Sequence, residues 1–219
     1  MRASFVSAPL AALGATPTPV GEALAFLRVP GENAAAPVVL TDLSPFARTG
    51  FKGADTASWL AARGLDVEPA HNHALRQADG SLLVRLSPGE FLLLGVPGAK
   101  PGLVERLDAA WTREANAGLC FPVPRQDSHA WFVLRGEKAP ALFAKLCAVD
   151  LRPRAFADGA VAQTSVARLN AIIVRDGAAF HLLADSASAE YLWACLIDAM
   201  AEFQGSIAGA ATVAGFGGA

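Results

Sequence analysis

Side chains able to do chemistry are few in this 219-residue chain, and they are scattered. His71 and His73 form an H-x-H pair. On an extended strand such a pair turns both imidazoles to one side, as two metal ligands require, but three or four ligands are the rule and no third stands at short spacing. No metal site is expected from it. His129 follows Asp127-Ser128, bringing a carboxylate, a hydroxyl and an imidazole into one run. Adjacent strand residues point to opposite faces, so Asp127 and Ser128 are expected to hydrogen-bond the local backbone where a strand begins. Arg152-Pro153-Arg154 is the densest cationic spot. Two guanidiniums set apart by a rigid proline suit a carboxylate or phosphate, yet no glycine-rich loop or helix start stands beside them, and a solvated or interface loop is the expected setting. Cys120, Cys147 and Cys195 are odd in number and lack CxxC spacing, which offers neither a disulfide framework nor a zinc ribbon and fits a reducing compartment. Cys147 and Cys195 fall on helical apolar positions and read as small core residues. The chain has no G-x-S-x-G elbow, no G-x-x-x-x-G-K-[ST] phosphate loop and no H-E-x-x-H. Gly215 to Gly218 follow no strand and open no helix, so they make no dinucleotide fingerprint.

Composition narrows the classes further. Eighteen Lys+Arg, only four of them lysines, against twenty Asp+Glu leave a net charge of −2, which argues against a nucleic-acid surface or a polybasic membrane patch. No segment reaches the roughly 20 apolar residues of a membrane span. Ala3 to Gly21 carries no charge and follows Arg2, as a signal peptide would, but Pro9, Gly14, Pro17 and Pro19 break its apolar centre, and a cytoplasmic protein is expected. Hydrophobic residues make up 53%, of which 47 are alanines, so the core must be rich in small side chains.

The elements that must position these residues repeat. Leu192, Cys195, Leu196, Ala199 and Phe203 recur at helical spacing, predicting a helix over 188–203. Upstream, Ala171–Arg175 and Ala179–Leu183 bracket Asp176-Gly177, a tight hairpin signal. Earlier, Leu82–Leu86 and Glu90–Gly95 flank Ser87-Pro88-Gly89, and a helix follows with Leu103, Leu107, Ala110 and Trp111 on one face. Each hairpin is preceded by a strand, a glycine and a helix: Gly53 with Trp59 and Leu60, and His129–Leu134 with Gly136, Ala139, Leu142 and Phe143. The plan is an α+β fold of two similar halves, each strand, helix, hairpin, helix, with the helices laid on one sheet face. The expected divisions are an N-terminal arm or edge segment over 1–41, with Val38–Leu40 as an edge strand, a first half over 42–120, a second over 121–204, and a Gly/Ala-rich, loose tail over 205–219.

Three strings are less generic. Asp42-Leu43-Ser44 with Arg48-Thr49-Gly50-Phe51-Lys52-Gly53, then Leu86-Ser87-Pro88-Gly89-Glu90-Phe91-Leu92-Leu93, then Asp150-Leu151-Arg152-Pro153-Arg154-Ala155-Phe156 resemble the gamma subunits of heterotetrameric sarcosine oxidases. The first string is shared with the wider superfamily of folate-dependent aminomethyltransferases. This resemblance implies the tetrahydrofolate-binding aminomethyltransferase-like fold. It also implies a complex that oxidatively demethylates sarcosine to glycine, coupled to tetrahydrofolate. In that complex FAD, FMN and NAD belong to the alpha and beta subunits, a folate site to alpha and zinc to delta, leaving gamma without a cofactor or catalytic residues. The aminomethyltransferases carry a Gly-Gly-x-x-Asp-Asp-x-x-Val strand whose aspartate engages folate; matched to Ile172, Ile173 and Val174, that acidic pair falls on Asn170 and Ala171. Asn170 therefore marks a vestigial folate pocket that has lost its carboxylate, and an amide accepts no proton. The Lys-Gly-Cys-x-x-Gly-Gln-Glu signature of the related repair proteins is missing. On this reading Phe46, Arg48, Phe51, Arg152, Arg154 and Phe156 are interface candidates, because aromatic and arginine side chains dominate binding energy. The alternative is a free-standing folate-binding or aminomethyltransferase-like protein using the cleft between the halves.

Overall fold

Apolar runs without alternation force the architecture. Leu82-Leu83-Val84, Phe91 to Leu94 and Trp131 to Leu134 are buried at every position. Consecutive strand residues face opposite sides, so these strands must be covered on both faces. The computed structural model describes residues 1–67, 70–97, 102–113 and 117–213, and it meets this demand with two sheets stacked face to face and helices on the outside.

In chain order, β1 (Arg2–Ala3), α1 (Ser7–Ala12), β2 (Thr18–Val20) and β3 (Ala23–Ala25) form a small N-terminal unit, followed by β4 (Val39–Asp42). The first half runs β5 (Arg48–Lys52), α2 (Thr56–Ala61), β6 (His73–Arg76), β7 (Leu82–Ser87), β8 (Glu90–Leu94) and α3 (Leu103–Arg113). After β9 (Phe121–Pro122), the second half runs β10 (His129–Arg135), α4 (Ala139–Leu146), β11 (Val161–Val166), β12 (Leu169–Asp176), β13 (Ala179–Asp185) and α5 (Ala189–Ala201), and β14 (Ser206–Ile207) closes the chain. Both expected hairpins form, and each gains a third strand, β6 or β11. These two are sheet edges whose apolar residues are interrupted, by His73 and Arg76 in β6 and by Gln163-Thr164-Ser165 in β11, which leaves no apolar run to announce them.

Sheet order repeats as the sequence does. One sheet reads β6-β7-β8-β5-β9 and the other β11-β12-β13-β10-β4-β14. The leading strands are exchanged: β4 precedes the first half but pairs with β10 of the second, and β9 precedes the second half but pairs with β5 of the first. The division near residue 120 therefore separates two sequence repeats that share each other's sheets.

Alternation then sorts the side chains into layers. Leu82, Val84, Leu92 and Leu94 meet Trp131, Val133, Val174 and Leu183 between the sheets. Leu83, Phe91 and Leu93 turn outward onto Trp59 and Leu60 of α2 and Val104 and Leu107 of α3. Phe132, Leu134, Ile173 and Leu182 turn the other way onto Leu142 and Phe143 of α4 and Leu192, Trp193 and Leu196 of α5. Each sheet carries helices on one face, as expected, and its other face covers its twin.

The terminal segments are more ordered than composition suggested. Val6, Leu10, Phe26 and Val29 are buried in the core of the second half, and β4 lies inside its sheet between β10 and β14 instead of at an edge. The first part of the tail is not loose. Ser206 N–H donates to Val38 O (2.9 Å), Ala208 N–H to Leu40 O (2.9 Å) and Ala210 N–H to Phe26 O (2.9 Å). Gly215 to Gly218 lie outside the described residues.

Two glycines make the exchange possible. Gly53 (φ +144°) and Gly136 (φ +108°) follow the corresponding strands β5 and β10. A Cβ on Gly53 would overlap the carbonyl oxygen of Leu119, which leads into β9, and one on Gly136 would overlap that of Pro37, which leads into β4. The same two carbonyls accept the N–H two residues on, Asp55 to Leu119 (3.1 Å) and Lys138 to Pro37 (3.0 Å). Gly136→Ala is expected to cost about 3 kcal/mol or more, from positive φ plus backbone overlap, whereas Gly177→Ala, where φ is +59° with nothing within 4 Å, should cost only about 1–2 kcal/mol. Urea unfolding of the two variants compares them, and equal losses would rule out the close approach as the reason for glycine at 136.

Candidate functional site

Arg48, expected at an interface, is one of the most buried side chains of the fold, at 2% exposure. It stands where the chain crosses twice between the sheets, from β4 to β5 and from β9 to β10. Its five N–H donors find five carbonyls. Nη1 donates to Ser44 O (2.7 Å) and Phe46 O (3.0 Å), Nε to Arg125 O (3.1 Å), and Nη2 to Gln126 O (2.6 Å) and His129 O. Gln126 returns the contact, its Oε1 accepting from Arg48 N–H (2.9 Å) and its Nε2 donating to Phe46 O (3.0 Å). Burial lowers the guanidinium pKa to about 10, opposed by Asp42 and Asp127, so the group stays charged at neutral pH. Asp42 is itself buried and its pKa is raised by that burial, while its carboxylate accepts Ser44 N–H (3.0 Å).

Three more interface candidates are also internal. Phe46 packs between the sheets, Phe51 lies against Trp59 at 4.9 Å between ring centroids, and Phe156 stacks on Phe180 at 6.5 Å. None of Phe46, Arg48, Phe51 and Phe156 offers a surface, because their apolar or hydrogen-bonding demands are met inside the chain. Arg152 and Arg154 are exposed, and Arg152 is engaged by Asp150 at 2.6 Å. Hydrogen bonds from Arg152 hold the Asp150 pKa down at about 2.

Asn170 stands at the start of β12 opposite Ser165, and with His129, Gln163, Thr164 and Ile172 it lines an open cavity of about 400 Å³. The polar lining is hydroxyl, amide and imidazole. Ser128 Oγ donates to the local backbone at Pro124 O (3.3 Å), as expected, but it also lies 2.8 Å from His129 Nδ1, because Ser128 is still in the turn and strand geometry does not yet separate the pair. His129 Nε2 faces Arg125 Nη1 at 3.4 Å. Burial, then Arg125 and Arg48, lower the His129 pKa to about 4 against the pull of Asp185, which leaves a neutral imidazole.

At the other end of β12, the space between the sheets does hold a carboxylate. Asp176 pairs with Arg76 of the first half and faces His181 Nε2 at 3.4 Å. Trp131 Nε1–H donates to His181 Nδ1 (3.0 Å), which places the imidazole proton on Nε2. The His181 bond, with Arg76, outweighs burial and holds the Asp176 pKa at about 2. An ionised carboxylate so engaged links the halves and takes no proton near neutrality. Sequence spacing gave no sign of this group, since Arg76 and Asp176 are one hundred positions apart. His71 and His73 do not lie on one extended strand, because β6 begins at His73 and Asn72 between them has φ +57°. Among the described residues no three His, Cys, Asp or Glu side chains converge as a metal site requires, and no helix is long and apolar enough to cross a membrane. Cys120 and Cys147 are buried and Cys195 half-buried.

No protein-family model matches the chain. Its fold is that of the glycine cleavage system aminomethyltransferase T of Bartonella henselae, which superposes with a TM-score of 0.71 at 16% identity, over 96% of this chain and 60% of that one. A chain of the heterotetrameric sarcosine oxidase of Corynebacterium sp. U-96, in complex with pyrrole 2-carboxylate, superposes with a TM-score of 0.67 at 24% identity, over 91% of this chain and 95% of that one. In sequence, the chain is 29% identical over 187 residues to sarcosine oxidase subunit gamma of an Arthrobacter species, covering 83% of this chain and 89% of the relative. It is 32% identical over 126 residues to the subunit of that name from Corynebacterium sp. strain P-1, covering 57% of this chain and 59% of the relative. In sequence the chain is thus similar to sarcosine oxidase gamma subunits along most of its length.

The neutral His129 has a pH consequence. An unfolded histidine takes up its proton near pH 6.5, the folded one near 4, so between these values the unfolded chain binds the extra proton and stability falls as pH drops. Above pH 6.5 this contribution is fully present. His129→Gln should therefore lose less stability than the parent between pH 7 and pH 5, as read from urea midpoints; an unchanged difference would show that His129 is not held neutral.

Proposed function

We propose that this chain is a non-catalytic gamma-type subunit of a flavin-dependent heterotetrameric sarcosine oxidase, holding its partners while they demethylate sarcosine oxidatively to glycine in a tetrahydrofolate-coupled reaction. The likeness to gamma subunits across 83% of the chain carries this reading. Asn170 supports it: where the folate-dependent aminomethyltransferases use an aspartate, an amide stands beside a neutral imidazole, and neither supplies the anionic group that would hold a folate amine. The partners are alpha, beta and delta chains, with FAD, FMN, NAD, zinc and tetrahydrofolate bound on those chains, in the cytoplasm. With Phe46, Arg48, Phe51 and Phe156 internal, the exposed Arg152 and Arg154 remain as residues that reach a partner. The cavity around Asn170 and His129 favours a second reading, in which the chain itself retains folate affinity.

Co-expression with the alpha, beta and delta chains is expected to return this chain in stoichiometric amount within a yellow complex, and Arg154→Glu to reduce its recovery without lowering the thermal stability of the isolated chain. A colourless, solitary chain contradicts the subunit reading. Saturable tetrahydrofolate binding by that solitary chain would establish the second.

A further inference from the structure

The space between the sheets beyond Asp176 widens into a cavity of about 530 Å³, within the range of small-molecule sites. Leu43, Leu82, Leu94, Trp131, Val133 and Val213 give it apolar walls. Of its charged groups, Asp176 is bound by Arg76 and His181, and Asp79 accepts Ser81 N–H (3.0 Å) and Oγ–H (2.5 Å) and faces Arg106 at 3.8 Å.

Arg135 is different. Strand alternation puts it on the face of β10 that carries Trp131 and Val133, toward the cavity. Nη1 and Nη2 donate to Thr212 O (2.6 Å) and Thr212 Oγ1 (2.5 Å), both neutral acceptors. Nε is buried and makes no hydrogen bond. Among the described residues it forms no ion pair, and Glu32, whose field reaches it, is already engaged by Arg28 and by the N–H groups of Val29 and Gly209. On the lining, Asp176 takes Arg76, and Asp79 is met by Ser81 and by Arg106 from outside the cavity, which leaves Arg135 as the lining charge with no ion-pair partner among the described residues. A half-buried guanidinium hydrogen-bonded only to neutral acceptors is stabilised by an anion, and one such cation suits one carboxylate; a dianion would bring a second negative charge toward Asp79 and Asp176.

We propose that this inter-sheet cavity binds a small amphipathic monocarboxylate, with its apolar body against Trp131, Leu43, Leu94 and Val133 and its carboxylate on Arg135. Octanoate and its neutral isostere octanamide test it by isothermal titration of the full chain. Octanoate is expected to bind saturably at one site, octanamide about tenfold or more weakly; Arg135→Gln should weaken octanoate about tenfold or more and leave octanamide unchanged. Ala179→Phe, which fills the cavity from its wall, should abolish both. Lack of octanoate binding up to about 5 mM, equal affinity for acid and amide, or octanoate binding that survives either substitution would overturn the assignment. Should Arg135→Gln fail to fold, the contrast of acid with amide on the native chain and the Ala179→Phe variant decide it.

Discussion

Five hydrogen bonds from one buried guanidinium hold this molecule together. Each half is entered by a strand that belongs to the other half's sheet, so the chain must pass between the sheets twice, at residues 43–47 and again at 123–128. Such crossings leave carbonyls that no ladder can satisfy, and an unsatisfied buried carbonyl costs about 1–3 kcal/mol. Arg48 meets carbonyls from both crossings at once. Lysine, with three donors on a point charge, could not spread over five acceptors in two segments. The charge itself is expensive to bury, and what offsets it is the full set of acceptors together with the fields of Asp42 and Asp127.

The exchanged strands explain why the repeat is not a pair of separable domains. Gly53 and Gly136 occupy equivalent places, and each lets the backbone at the start of a helix touch the segment leading into the strand it lends its own sheet. Arg76 with Asp176 adds a polar link across the sheets at one end, and the terminal segments close over the second half. The product is a four-layer body, two sheets inside and helices outside.

Much of this was legible in the residues. Asp176-Gly177 and Ser87-Pro88-Gly89 announced their hairpins, and the apolar stripes of four helices lie where periodicity put them. The double-sided apolar runs also implied sheets covered on both faces, although they do not say by what. Strand exchange was not legible, because nothing local in Val39–Asp42 or Phe121–Pro122 names a partner strand some ninety or seventy positions away. For the same reason Arg48, Phe46, Phe51 and Phe156 read as surface anchors: arginine and aromatic residues favour interfaces, and a fold interior that two crossings create is an interface within one chain. Strand alternation starts only at His129, so it does not separate Ser128 from that ring, and the Asp176, His181 and Trp131 cluster joins elements too distant for any spacing motif.

The chain is similar to gamma subunits in sequence and to an aminomethyltransferase in fold. It is a scaffold whose two halves stand or fall together on Arg48. Hydrogen exchange of the parent chain and of Arg48→Met tests this most directly. The account predicts a loss of about 3–5 kcal/mol, with the amides of β7 and β12 losing protection to the same extent; stability within about 0.5 kcal/mol of the parent, or a loss confined to one half, would contradict it.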